Sequence, residues 1–156
     1  MAFTGNYMAT SFKVELMQGY HNFSNVNPAR VANTADIFKL ALYGNTASFT
    51  AATTAYTSAG EVTASGTYVA GGGALNTTSG TSTQPTSSGT TAYLSFADIS
   101  FTSATITAYG AMIYNSSQSN KCVAILDFGG AKTVTNGTFT VQFPSATSTS
   151  AIIRIA

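Results

Sequence analysis

Apolar and polar residues alternate with a period of two along much of this chain, and that pattern predicts strands. Between Asp36 and Tyr43, Phe38, Leu40 and Leu42 alternate with Lys39, Ala41 and Tyr43, the mark of a half-buried strand. Leu94 and Phe96 alternate across Tyr93, Ser95 and Ala97, Ile99 and Phe101 open a further stretch, and apolar runs follow over Ile106–Tyr114 and Cys122–Phe128. A polar turn from Asn115 to Asn120 separates the last two. Phe139, Val141 and Phe143 alternate with Thr138, Thr140 and Gln142 as far as Pro144, and Ile153 with Ile155 makes a final strand. The dipeptide Asn136-Gly137 is a hairpin signal. Weaker patterns lie between. The Thr/Ala/Gly-rich stretch from Ala47 to Asn76, with Tyr56, Val62, Tyr68 and Val69 as sparse anchors, predicts two weak strands joined by turns. Residues 77–91, nearly pure Thr, Ser and Gly around Pro85, predict a mobile surface loop or a hairpin tip.

One segment departs from this rhythm. From Thr10 to Gln18 the apolar residues Met8, Phe12 and Leu16 stand four apart, Thr10 or Ser11 is placed to cap, and Gly19 supplies a stop, which predicts a helix of about two turns. So short a helix holds only by docking its Phe12/Leu16 stripe. The segment from Tyr20 to Thr34 reads as an irregular connector or arm whose aromatics, Tyr20 and Phe23, need burial. The expected fold is therefore all-β: an antiparallel β-sandwich or jelly roll of about 7–9 short strands with a short N-terminal helix or arm, a closed barrel being the competing architecture. The helix and arm are assigned to residues 1–35 and the β-sandwich domain to 36–156.

Composition sharpens the picture. Only 7% of the 156 residues are charged, against about 25% in ordinary soluble domains, and the formal net charge is +1. Such a surface is weakly protected against association and suits burial against neighbours. Threonine-rich strands keep it wet without charge. The cations Lys13, Arg30, Lys39, Lys121, Lys132 and Arg154 are scattered, so no basic face for nucleic acid or anionic lipid is expected. No apolar run approaches the roughly 18 residues of a membrane span, and the first residues carry no secretory pattern. Synthesis in a cytoplasm is the expectation.

Candidate chemistry is sparse. Asp127-Phe128-Gly129 spells the metal-binding triplet of protein kinases without the rest of that machinery. Gly129-Gly130-Ala131-Lys132-Thr133 lacks the glycine that a phosphate loop needs before its lysine. His21 is the single histidine, placed just past a helix stop, where backbone hydrogen bonding or interface packing is expected. The carboxylates Glu15, Asp36, Glu61, Asp98 and Asp127 are isolated in sequence, and aspartates beside turns usually bind backbone amides. Cys122, the single cysteine, opens an apolar strand and reads as a buried inert thiol. The Asn-x-Ser/Thr sequons at Asn22, Asn76, Asn115 and Asn136 follow from the Thr/Ser content. No catalytic, metal or cofactor site is expected, and a sugar-cleaving carboxylate pair using Asp98 or Asp127 is a distant third hypothesis.

Three stretches carry a resemblance: Ser11–His21, Phe38–Tyr43, and Cys122 to the carboxyl end including Val123-Ala124-Ile125-Leu126-Asp127-Phe128-Gly129. With Thr54–Val62, they resemble a group of small tailed-phage virion proteins. The resemblance implies a capsid decoration or cement protein that stabilises the head by binding the major capsid protein lattice, at the capsid surface of the virion, after synthesis in the host cytoplasm. It implies no enzyme activity and no cofactor. Expected partners are the major capsid protein and further copies of the chain, as a homo-oligomer such as a trimer, with no nucleic acid and no membrane. The N-terminal segment Met1–Asn33 is expected to dock on the capsid or a neighbouring copy through Phe12, Leu16, Tyr20, His21, Phe23 and Arg30, and to be removable as far as Gln18 without unfolding the β-core. The alternative is a tail or head-fibre component binding host-surface glycan, with Tyr56, Tyr68 and Tyr109 as stacking platforms unless they pack in the core.

Overall fold

A computed structural model of the chain describes residues 3–24, 35–75 and 85–156. Its order is β1 (Tyr7–Met8), α1 (Thr10–Met17), β2 (Phe38–Tyr43), β3 (Gly73–Leu75), β4 (Thr86–Ser88), β5 (Thr91–Leu94), β6 (Ile99–Asn115), β7 (Lys121–Val141) and β8 (Ile153–Ile155). The fold is mostly β, and every strand pairing is antiparallel. One sheet has five strands in the order β1-β7-β6-β2-β3, the other three in the order β4-β5-β8, and neither closes on itself.

The strands are not all short. β6 and β7 form one hairpin, 17 and 21 residues long, joined through Ser116–Asn120. Asn136-Gly137, expected to turn the chain, lies inside β7. Asn136 does take the left-handed conformation that the dipeptide favours (φ 48°), but Ser103 on β6 takes it too (φ 52°). The register slips between Phe101 and Ala104 and slips back between Ala104 and Ile106, so these are two opposed bulges whose offsets cancel. Thr105 Oγ1 accepts the Asn136 N–H at 2.9 Å. Residues that elsewhere make turns are thus absorbed into one bent ribbon.

β2 follows the expected alternation, yet Ala41 and Tyr43 are buried along with Phe38, Leu40 and Leu42, because both faces of the sheet are covered at this point. Phe23 stacks on Phe38 with ring centroids 4.2 Å apart, and Phe12, Phe96 and His21 surround the pair. Tyr43 meets Phe49 edge-on at 4.7 Å, and Phe3 packs against Phe49. The stretch expected to hold two weak strands contains only β3 and isolated bridges such as Tyr43↔Glu61 and Ala55↔Lys121. It nevertheless completes the β2 edge beyond β3 with one backbone and one side-chain bond: Val62 N–H donates to Leu42 O, and Leu42 N–H donates to the Tyr68 hydroxyl at 2.9 Å. The predicted loop over 77–91 lies outside the described residues as far as 84; beyond it, β4 and β5 form a hairpin across Gly89-Thr90.

The helix stop is as expected. Gly19 (φ 73°) donates to Leu16 O and Tyr20 N–H to Glu15 O at 2.9 Å, a Schellman ending. The start is not. The N-cap is Ala9 with no side-chain bond, and Ser11 Oγ is buried without a partner among the described residues. Tertiary backbone bonds take the place of a cap: Ala9 N–H donates to Val123 O and Thr10 N–H to Ala51 O at 2.8 Å. β1 pairs with β7, and Phe12 and Phe23 are buried in the shared core, so this segment packs into the β-core.

Candidate functional site

The residues expected at an interface are mostly taken up by the chain itself. Phe12 and Phe23 are core residues, and His21 is 9% exposed. Leu16 is half-buried and lines an apolar groove of about 460 Å³ with Phe23, Leu94 and Ile153. Tyr20 is exposed, with the Lys121 ammonium 5.0 Å above its ring. Arg30 lies outside the described residues.

His21 bonds side chains, not the backbone. Its Nε2 lies 2.8 Å from Glu15 Oε2, and Lys121 Nζ donates to Glu15 Oε1 at 2.7 Å. On the other side of the ring, Nδ1 lies 3.0 Å from Asn115 Nδ2. The Asn115 Oδ1 accepts the Ser117 N–H, which fixes the amide with its NH₂ towards the ring. Nδ1 is therefore the acceptor, and Nε2 carries the hydrogen given to Glu15. Asn115 Nδ2 also donates to Asp36 Oδ2 at 2.8 Å, and that same oxygen accepts the Asn22 N–H. The five side chains Lys121, Glu15, His21, Asn115 and Asp36 thus form one continuous chain of bonds, brought together from the helix, its C-terminal exit, the entry to β2 and the β6–β7 turn.

The electrostatics fit a structural role. Burial pushes the Glu15 carboxyl up, but the hydrogen bonds from Lys121 and His21 and the charge of Lys121 outweigh it and leave the group below its ordinary value. Cys122, wholly buried, has its thiol pushed up to about 12, by burial first and then by the Glu15 charge, so it is protonated and unreactive at neutral pH. Both His21 nitrogens are engaged within the chain, so the ring offers no free base to a substrate.

A second cluster centres on Glu61. Tyr56 donates to Oε2 at 2.6 Å, while Tyr68 and the Gly71 N–H donate to Oε1 at 2.8 and 2.7 Å. Tyr114 stacks on Tyr56 at 4.7 Å and donates to Gly71 O; burial, then the Glu61 charge, pushes its hydroxyl up to about 12. Tyr68 is fully buried and Tyr56 is held at its hydroxyl and on one ring face. Of the three tyrosines proposed as stacking platforms, Tyr109 is half-buried against the core and lines a cavity. The remaining carboxylates behave as isolated aspartates beside turns do: Asp98 Oδ1 accepts from Phe143 N–H and Asp127 Oδ1 from Gly129 N–H, each at 2.8 Å. Asp98 and Asp127 do not share a cavity. No cluster of three or more His, Cys, Asp or Glu residues suited to a metal ion occurs among the described residues, and no helix among them is long and apolar enough to cross a membrane.

Sequence reasoning missed Asn115 as a partner of His21, and Asp36 and Lys121 as the ends of the same chain of bonds. The one available signal was Glu15, a charge three residues from Phe12 and so on the same helical face. No protein-family profile, curated protein or solved structure matches this chain.

Proposed function

We propose that this chain is a non-catalytic structural component of a tailed-phage particle: a capsid decoration protein that binds the major capsid protein lattice as a homo-oligomer. The resemblance of Ser11–His21, Phe38–Tyr43 and the carboxyl-terminal region to small virion proteins supplies the kind of assembly. The observation that carries the assembly role is the outer edge of β7. β1 pairs with β7 only at Ile125 and Ala124, and beyond the Phe128–Ala131 bulge no described strand pairs with that edge from Lys132 to Val141.

Unpaired strand edges are usually blunted by charge, proline, bulges or brevity, and this one carries a single bulge, at Asn136. Here the edge from Lys132 to Val141 runs for about 33 Å at strand spacing, holds Lys132 as its one charge and contains no proline. It borders a groove of about 420 Å³ lined by Phe128, Val134, Phe139 and Val141 among threonines. A strand from a second copy would satisfy its backbone groups and cover these side chains. The finer architecture in this reading is a sandwich or jelly roll, supported by Leu94 of β5 and Ile153 of β8 sharing one apolar cluster with β2 and β6.

Analytical ultracentrifugation of the full chain and of a Thr138→Lys/Thr140→Lys double variant tests the edge, since both side chains are exposed and need not disturb the core. The expected result is an oligomer for the parent and a folded monomer for the variant, with the variant also failing to bind decoration-free capsid shells. A parent that stays monomeric up to its solubility limit, or a variant that assembles equally well, overturns the assignment.

A further inference from the structure

Midway along the long hairpin the register breaks a third time, and the break builds a cavity. Ala108 pairs with Lys132 and Gly110 with Asp127, so Phe128 through Ala131 stand opposite Tyr109 alone. The surplus chain bulges outward through Gly129 (φ 69°) and Gly130 (φ 135°). Bulges of this kind re-aim side chains beside binding sites. The space beside them, about 540 Å³, is bounded by Phe3, Tyr109, Asp127, Asn45 and Thr4 as well as the two glycines, a size ordinary for small-molecule sites. Nothing lies within 4 Å of where a Cβ would project from either glycine, so that wall is bare backbone open to the cavity.

Of the polar groups here, Asp127 is held and only partly used. Asp127 is fixed from both sides, its N–H donating to Asn6 Oδ1 at 2.7 Å and its Oδ1 accepting from Gly129 N–H. Its Oδ2 has no partner among the described residues; neither have the Asn45 amide and the Tyr109 hydroxyl. The Thr4 hydroxyl shares one hydrogen bond with Tyr7 at 2.7 Å.

We propose that this cavity binds a neutral, hydroxyl-rich ring, a hexopyranose sugar or the end of a glycan built from one. Among the described residues the lining holds a carboxylate and no cation, which disfavours phosphate, sulfate and acidic sugars. A cationic ligand would meet one carboxylate and leave the Asn45 NH₂ donor unused. A sugar uses every group: its hydroxyls donate to Asp127 Oδ2 as charge-assisted bonds, accept from Asn45, and its C–H face lies on the Tyr109 ring, an aromatic with one apolar body and one polar tip. The site is separate from the β7 edge groove and does not depend on the assembly role.

The test is ¹⁵N-¹H NMR titration of the full chain with glucose, galactose, mannose and N-acetylglucosamine, each at millimolar concentration, with N-acetylneuraminic acid as the charged comparison. The expected result is saturable shifts at Tyr109, Asp127, Gly129 and Gly130 with at least one neutral sugar and none with the acidic one. Tyr109→Ala and Asp127→Asn should each weaken binding at least tenfold while the rest of the spectrum stays native, since asparagine keeps the Oδ1 acceptor for Gly129. No shift with any of the four neutral sugars, shifts mapping elsewhere, or undiminished binding by both variants overturns the proposal.

Discussion

Replacing Asn115 by alanine removes the joint between both halves of the buried network. Its side chain is wholly buried and makes bonds of 2.8 Å to Asp36, 3.0 Å to His21 and 3.1 Å from Ser117 N–H. A bond to a charged group contributes roughly 1.5–3 kcal/mol and a neutral one roughly 0.5–1.5 kcal/mol, with the cost rising when a buried partner is stranded. Asp36 keeps the Asn22 N–H at 2.8 Å, which limits its loss. Asn115→Ala should therefore destabilise the fold by about 3–4 kcal/mol, or about 10 °C in Tm for a chain of this size. Urea denaturation followed by circular dichroism reads this directly. Pairing it with His21→Phe in a double-mutant cycle should give a double variant less destabilised than the sum by about 1 kcal/mol. A loss under about 1 kcal/mol for Asn115→Ala, or strict additivity with His21→Phe, would refute the network as a coupled unit.

Acid sensitivity follows from Glu15. Its folded value lies below the ordinary 4.5, so its contribution is complete above that pH and is lost as pH falls through the folded value; urea midpoints from pH 7 to 3 should fall less steeply for Glu15→Gln than for the parent. Gly72 (φ 72°) would place a Cβ 1.8 Å from Leu40 O, whereas Gly129 (φ 69°) has open space. Gly72→Ala should thus cost more than about 3 kcal/mol and Gly129→Ala about 1–2 kcal/mol, the backbone strain alone, as measured by thermal denaturation. Cys122, buried and with its thiol raised, should resist iodoacetamide at pH 8 in the folded protein and react fully in urea, as read by intact-mass spectrometry.

How far the fold is legible in sequence depends on which competing principle decides each segment. β2 and the helix stop at Gly19 are readable because alternation and a left-handed glycine each have one local outcome. Asn136-Gly137 and Gly129-Gly130 are not, since left-handed residues serve a hairpin turn and a bulge equally, and only the partner strand chooses. The Ser103 conformation on β6, which turns the Asn136 signal into half of a cancelling pair, has no local mark. The helix start misleads for a related reason: Thr10 and Ser11 look like caps, but Val123 and Ala51 carbonyls, distant in sequence, hold the first turn. At the network, Asp36 and Asn115 are separated by 79 positions and Glu15 and Lys121 by 106, so their meeting is a product of topology. Tyr109 and Asp127 become neighbours only through the bulge between them.

The central claim, that this chain is built into a phage particle, is tested most directly by its abundance there. Quantitative mass spectrometry of purified particles, normalised to the major capsid protein, should find a copy number equal to that protein or a simple fraction of it. Absence from the particle, or a few copies per particle as for a tail or fibre, would contradict the decoration role.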